Sequence, residues 1–184
     1  TEARELEPND PIIHFALAEL LYFDGQYLRA TREYEVVLDT GEYEINGINL
    51  FSRMADCALQ SGNYSDAIQL FDEISEDEMI SDDFFKKAIA YEKNDLTQEA
   101  IKIMTTLLSK DPDFIQGYFY LQSLYENEKN YPDAIETGKE GLRLNQFYKE
   151  LMVSTGSLEI EHGDANEGVE LLKKRSEEHT SELQ

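Results

Sequence analysis

The chain has 184 residues, of which 41% are hydrophobic and 30% charged, with a formal charge of −23 and a pI near 4.3. So acidic a chain lacks the basic footprint that nucleic acid requires, and anionic membrane surfaces repel it. Its one cysteine, Cys57, cannot close an internal disulfide and has no Cys or His near it at metal-ligand spacing. The longest apolar stretch, Ile12–Phe23, spans 12 residues and includes His14 and Glu19, too short and too polar for membrane insertion. Because the chain begins with Thr1 rather than Met and ends in the tail 175–184, it is expected to be the middle section of a longer protein; a cytoplasmic location is a separate expectation.

Residues 1–10 read as the end of a preceding repeat, since Ala3, Leu6 and Pro8 have the spacing of a closing helix and the proline after it. Asp10-Pro11 then starts a helix, the carboxylate capping free amides and the proline sitting where its missing N–H is harmless. Ile12–Phe23 is apolar on most faces, as a helix packed between neighbours must be. Phe23-Asp24-Gly25-Gln26 turns the chain into a second helix, Tyr27–Leu38. Asp39–Gly47 is a longer connection, followed by helices Ile48–Gln60 and Ser65–Ile74 around the turn Ser61-Gly62-Asn63. The acidic run Asp72–Asp83 lacks alternating ligands about a turn glycine, so it reads as a solvated loop and not a calcium site. Its last acids favour the next helix start. Helices Asp82–Lys93 and Thr97–Ser109 follow, then Ile115–Glu128 with Tyr131–Leu144, and Lys149–Glu161 with Ala165–Lys174. No segment reads as a strand. The tail 175–184, RSEEHTSELQ, stands apart: it resembles the in-frame translation of a common sequencing adapter and is expected to be non-native, a genuine polar terminus being the alternative.

Within these helices one figure recurs: a turn glycine, an aromatic, a small residue and a large apolar residue one turn later. It is Gly62, Tyr64, Ala67, Phe71 in one copy and Gly25, Tyr27, Ala30, Tyr34 in another. The small residues fall at 30, 67, 100, 134 and 168, with separations of 37, 33, 34 and 34. A period near 34 is the mark of a repeat array. Twelve residues before each stands a second small position, filled by Ala18, Ala55 and Ala88, then by Gln122 and Gly156. Antiparallel helices approach closely only where a side chain is small, with large neighbours filling the flanking holes.

These residues resemble the tetratricopeptide repeat (TPR) family, over 1–174. The resemblance implies an all-α fold, a right-handed α-solenoid of TPR-like antiparallel helix pairs. Its repeats would cover about 11–44, 48–80, 81–114, 115–148 and 149–174. Pro8 and Pro112 match the family's closing proline, whereas Met79 and Gln146 depart from it. Gly138 and Gly141 lie inside a helix, where each costs about 0.8–1.0 kcal/mol relative to alanine, so that helix is expected to be the softest.

Catalysis finds no support. Outside the tail the histidines are His14, at a core-type position, and His162, exposed beside a turn. Cys57 reads as a small core residue without the basic surroundings of a reactive thiol, and no glycine-rich phosphate loop occurs. No catalytic, cofactor or metal site is therefore assigned. What the resemblance implies instead is an inner groove lined by first-helix residues that face away from the second helix. The candidate partner-binding residues are Phe15, Glu19, Tyr22, Asp56, Phe85, Ile89, Glu92, Phe119, Ser123 and Glu126. On the mapped face seven acids (Glu19, Asp56, Asp82, Glu92, Glu126, Glu150, Glu161) stand against one base, Lys93. Phe15, Phe85 and Phe119 recur at one place, where packing against the next repeat is the alternative to exposure. Solvation is the alternative role for the acids. Arg53 and Lys86 are the only nearby bases, so a clamp for a free carboxylate is not expected. The expected function is a non-catalytic protein–protein interaction scaffold whose groove holds a protein or peptide with apolar anchors and basic residues. A structural or self-assembling array, and the regulatory arm of a larger enzyme or peptide-sensing regulator, are the alternatives.

Overall fold

The computed structural model describes residues 10–182, with side chains through Lys174, and the chain divides into two compact units, one up to Leu96 and one from Thr97. The reading of residues 1–10 as a repeat end lies outside the described residues, save Asp10. The first unit holds α1 (Pro11–Phe23), α2 (Tyr27–Leu38), β1 (Glu44–Ile45), β2 (Ile48–Asn49), α3 (Leu50–Gln60), α4 (Tyr64–Asp72) and α5 (Ser81–Lys93). The second holds α6 (Thr97–Lys110), α7 (Ile115–Asn127), α8 (Tyr131–Leu144), α9 (Lys149–His162) and α10 (Ala165–Glu182). The last helix runs on into the RSEEHTSELQ segment, whose side chains lie outside the described residues.

Each start and stop has a local cause. Asp10 caps α1, its Oδ1 accepting from the Ile12 amide at 2.8 Å, with Pro11 in the first turn. The chain leaves α1 through a Gly25 at φ +74°, where the amides of Gln26 and Gly25 donate back to the carbonyls of Leu21 and Tyr22. The same pair of bonds closes α3 around Gly62, and they satisfy carbonyls that the helix leaves open. Short turns of this kind make neighbouring helices antiparallel. Asp95 and Lys129 occupy the equivalent place after α5 and α7, at φ +62° and +59°, a region that side chains strain.

The first unit's core is built where the small positions lie. Ala18 and Ala30 have no exposure and belong to one cluster with Tyr34, Val37, Leu50 and Met54. Ala55 and Ala67 are equally closed, the latter packing with Ile68 and Ala90. His14 is 2% exposed, with Nδ1 2.6 Å from Glu33 Oε2, as its core-type position implied. Cys57 is buried, which pushes its thiol up to about 11.

The long connection is not structureless. Residues 44–49 form a two-stranded antiparallel hairpin, Glu44 opposite Asn49 and Ile45 opposite Ile48. Its two turn residues, Asn46 and Gly47, both have positive φ, at 55° and 75°. This overturns the expectation that no segment is a strand and that α3 begins at Ile48. Asn-Gly is the favoured hairpin dipeptide, because its backbone twist matches that of the strands. Asn49 then caps α3, accepting from the amides of Phe51 and Ser52 at 2.9 and 3.3 Å.

In the second unit two departures from the repeat pattern explain each other. Gln122 fills a small-residue position yet is wholly buried, its Nε2 donating to Thr155 Oγ1 at 3.0 Å and to the Ala134 carbonyl at 3.3 Å. A Cβ at Gly138 would collide with that amide and that hydroxyl. At Gly141 it would stand 2.5 Å from Leu151 Cδ2 and 2.8 Å from Tyr118 Cβ. The two glycines of α8 are therefore points of close contact with α7 and α9. In the last pair a Cβ on Gly168 would lie 2.5 Å from the Gly156 carbonyl oxygen, so α9 and α10 touch backbone to backbone. His162 ends α9, exposed as expected, with its ring stacked on Tyr131 at 3.6 Å.

Two substitutions test these points in opposite directions. Helix propensity predicts that Gly168→Ala stabilises by about 0.8–1.0 kcal/mol, whereas overpacking predicts a loss of about 1–3 kcal/mol. The loss is expected, and a raised melting temperature would contradict the backbone contact. Lys129→Gly relieves a strained turn and is expected to stabilise by about 1 kcal/mol in urea titrations.

Candidate functional site

In the first unit, the same face of α1, α3 and α5 is tied together by polar side chains. Arg53 of α3 reaches Glu19 of α1 with two bonds, Nε to Oε1 at 3.0 Å and Nη2 to Oε2 at 3.3 Å. Its guanidinium also lies 4.8 Å from the ring centre of Tyr22. The Tyr22 hydroxyl donates to Asp56 Oδ2 at 2.5 Å, and the Tyr34 hydroxyl donates to Glu19 Oε1 at the same distance. Lys86 of α5 closes the run, its Nζ 2.7 Å from Asp56 Oδ2 and 2.8 Å from Asp82 Oδ2. One step further along, Ser52 donates to Asp83, whose other oxygen accepts from the Ile80 amide and so starts α5. Glu19 and Arg53, like Tyr22 and Asp56, are separated by 34 residues, one repeat.

The surroundings decide which charges persist. Burial alone would raise the Asp56 carboxyl, but hydrogen bonds from Lys86 and Tyr22 outweigh it and hold the group below its usual range. Burial and the Asp56 bond push the Tyr22 phenol up to about 12. Burial would lower Arg53 and Lys86, yet their carboxylate partners raise both. The charges of Arg53, Asp56 and Lys86 are therefore present at neutral pH.

Two cavities share this face. One, of about 290 Å³, lies between the hairpin and the α3–α5 surface and is lined by Tyr43, Ile48, Arg53, Asp56, Ile80 and Lys86 among others. Its lining holds five carboxylates (Glu44, Asp56, Glu78, Asp82, Asp83) and two bases. The other, of about 330 Å³, is lined by Leu59, Tyr64, Phe85, Ile89 and Lys93, and shares Asp82 and Lys86 with the first.

Of the candidate residues, Glu19, Tyr22 and Asp56 come together in the network, while Phe85 and Ile89 line the second cavity. Glu92 is half-buried and pairs with Lys93 at 3.0 Å. Phe15 is not a groove residue. It is 6% exposed, packs on Tyr34 with ring centres 6.3 Å apart, and joins the core cluster to which Ile45 and Leu50 contribute. Asp56 is itself 3% exposed, so it acts on the groove through Lys86 and Tyr22. In the second unit Phe119 is half-buried against Tyr148, Ser123 donates to the Tyr120 carbonyl at 2.7 Å, and Glu126 is exposed. Sequence reasoning missed Tyr43 and Ile48, which reach the groove at the hairpin, and Ile80, which reaches it from the start of α5. The Asn46-Gly47 dipeptide was the available signal. It also counted the acids without their partners, since pairing across a repeat is set by side-chain reach. Among the described residues no helix is long and apolar enough to cross a membrane, and no group of three or more His, Cys, Asp or Glu is placed to hold a metal ion.

Antiparallel helix pairs with a 34-residue register, and a polar face on their first helices, define a tetratricopeptide-repeat α-solenoid. Residues 1–42 match the model for YpiA-like tetratricopeptide repeats, and residues 84–113 match a general tetratricopeptide-repeat model. The chain is 30% identical over 173 residues to the TPR repeat-containing protein YpiA of Bacillus subtilis (strain 168). That match covers 94% of this chain but 41% of the relative, so the chain spans less than half of that protein's length. Among solved structures, a MamA protein superposes with a TM-score of 0.81 at 18% identity, covering 94% of this chain and 93% of that one. YrrB, described as a TPR protein with an unusual peptide-binding site, gives 0.72 at 15% identity, with 95% and 89% covered. These structures share the fold.

The network makes a pH-dependent prediction. Asp56→Asn removes a buried partner of Lys86 and Tyr22 and is expected to cost about 1–3 kcal/mol at pH 7. Because the folded-state pKa of Asp56 is lowered, its contribution is complete above the ordinary carboxylate range and fades as pH falls through the folded value. Urea midpoints of the two proteins are expected to converge on acidification. A difference that stays constant from pH 7 to pH 3 would contradict the assignment.

Proposed function

We propose that the chain is a non-catalytic scaffold, in a cytoplasmic setting, that holds a peptide segment along the α3–α5 face of its first unit. The observation that carries this reading is the pair of adjoining cavities, each with apolar or aromatic walls and both bordered by Asp82 and Lys86. An extended or helical segment would place one anchor beside Tyr43, Ile48 and Ile80 and another beside Phe85 and Ile89. Tyr43 and Ile80 are 55% and 63% exposed, so they offer apolar surface that a ligand can cover. With five carboxylates against two bases in the hairpin cavity, basic residues between the anchors are favoured. Arg53 and Lys86 are already engaged by Glu19, Asp56 and Asp82, which disfavours capture of a free carboxylate. The peptide-binding site attributed to YrrB is consistent with such use of the fold. Phe119 and Glu126 offer a comparable aromatic and acidic pair on the second unit.

Peptides selected on the immobilised chain test the proposal. Tyr43→Ala and Phe85→Ala are expected to weaken binding roughly tenfold or more, as aromatic anchors do, and Glu92→Gln by under about fivefold, as loss of a partly solvated ion pair does. Raising salt is expected to slow association more than it hastens release. Binding indifferent to both aromatics, or a selection dominated by acidic peptides, would refute the reading.

A further inference from the structure

The reverse side of α3 forms the floor of a second depression, walled by α2 and α4. Met54 and Ala58 each stand two residues from Asp56, about 200° around the helix, so this floor faces away from the charged network. The cavity measures about 450 Å³, with Phe51, Met54 and Cys57 beneath and Leu28 and Leu70 on the walls. That volume lies within the range of about 300–1,000 Å³ typical of ligand sites. Leu28 is 65% exposed, an apolar side chain left in water at the lip.

The rim carries Glu35 from α2, Asp66 from α4 and Glu73 at the C-terminal cap of α4, all exposed, and no Lys or Arg lines the cavity. Unlike Glu19 and Asp56 in the groove, none of these three is held in an ion pair among the described residues. The sign is not a uniform consequence of an acidic chain. In the second unit the cavity between α8 and α10, of about 350 Å³, is lined by Lys139, Arg143 and Lys174 with one acid, Glu167.

We propose that the α2–α3–α4 trough is a second docking site, separate from the groove, for a peptide segment with an aliphatic or aromatic anchor flanked by Lys or Arg. The anchor enters between Leu28 and Leu70 onto the Met54–Cys57 floor, where burial provides the affinity. The flanking bases meet Glu35, Asp66 and Glu73, which set orientation and rate of encounter. Charge also argues against a second copy of this chain as occupant, since each carries −23.

The test uses a random peptide library displayed on phage, selected on the immobilised full chain, with selected peptides synthesised for affinity measurement. Each is measured against the unaltered chain, Leu28→Ser, the triple variant Glu35→Lys/Asp66→Lys/Glu73→Lys, and Phe85→Ala. All three trough acids and Leu28 are exposed, so these substitutions leave the core intact, and thermal melts check this. The expected result is a peptide class with basic flanks whose Kd rises at least about fivefold in Leu28→Ser and about tenfold in the triple variant, but under about twofold in Phe85→Ala. Peptides weakened by the triple variant but not by Leu28→Ser are held only by general attraction to an acidic chain, and a selection containing only those overturns the proposal. Concentration-dependent dimerisation abolished by Leu28→Ser would also overturn it, in favour of self-association. Failure of the groove reading shows separately, as the lack of any peptide sensitive to Phe85→Ala.

Discussion

Close approach of antiparallel helices at small residues is the constraint on which the rest depends. Ala18 and Ala30 in the first pair, and Ala55 and Ala67 in the second, have no exposed surface, and large side chains such as Tyr34 and Phe71 fill the flanking space. Packing at crystal-like density leaves no room for a methylene at such points, so each repeat repeats the same solution. The last pair takes the constraint to its limit, with Gly156 and Gly168 bringing backbone against backbone. The fourth pair shows that what matters is the combined volume. A large Gln122 is admitted because Gly138 stands opposite and Thr155 receives its amide.

That packing decides where charge can lie. With one face of α3 committed to α1 and α5, Arg53 and Asp56 sit within reach of Glu19, Tyr22 and Lys86. Half-buried ion pairs add little net stability by themselves, since desolvation offsets most of their attraction. Their consequence is specificity: the bases are held in fixed positions by partners one repeat away, and the register of three helices is locked by hydrogen bonds of defined geometry. The hairpin adds a wall to this face, and its Asn49 also caps the helix that bears the network. One short insertion thus serves both the stability of α3 and the shape of the groove.

Two sides of one helix consequently differ in character. The groove side of α3 carries charges that neutralise one another, while the reverse side carries an apolar floor under acids without ion-pair partners. A scaffold with separate surfaces of different chemistry can hold two segments at once, and linkage then makes each binding event effectively intramolecular for the other when the segments belong to one partner.

The repeat period, the helix pairs and most helix ends were legible in the residues, because they rest on local physics. Tyr27–Leu38 is bounded correctly by glycine, aromatic and small-residue spacing, Tyr131–Leu144 by the aromatic and small residue alone, and His14 and Cys57 lie in the core as their positions imply. The hairpin was equally legible in Asn46-Gly47 but was outweighed by the helical pattern that follows. What only the tertiary structure decided was which face-mapped residues meet solvent and which meet each other. Phe15 and Phe85 occupy the same place in their repeats, yet one is enclosed beside residues the hairpin contributes and the other lines a cavity. Of the seven acids counted along the helices, Glu19 and Asp56 are paired by Arg53 and Lys86 reaching across from neighbouring helices, and Asp82 by Lys86 within its own helix. Helix spacing follows from the chain within a few turns, whereas burial and charge pairing depend on side chains from 30 or more residues away.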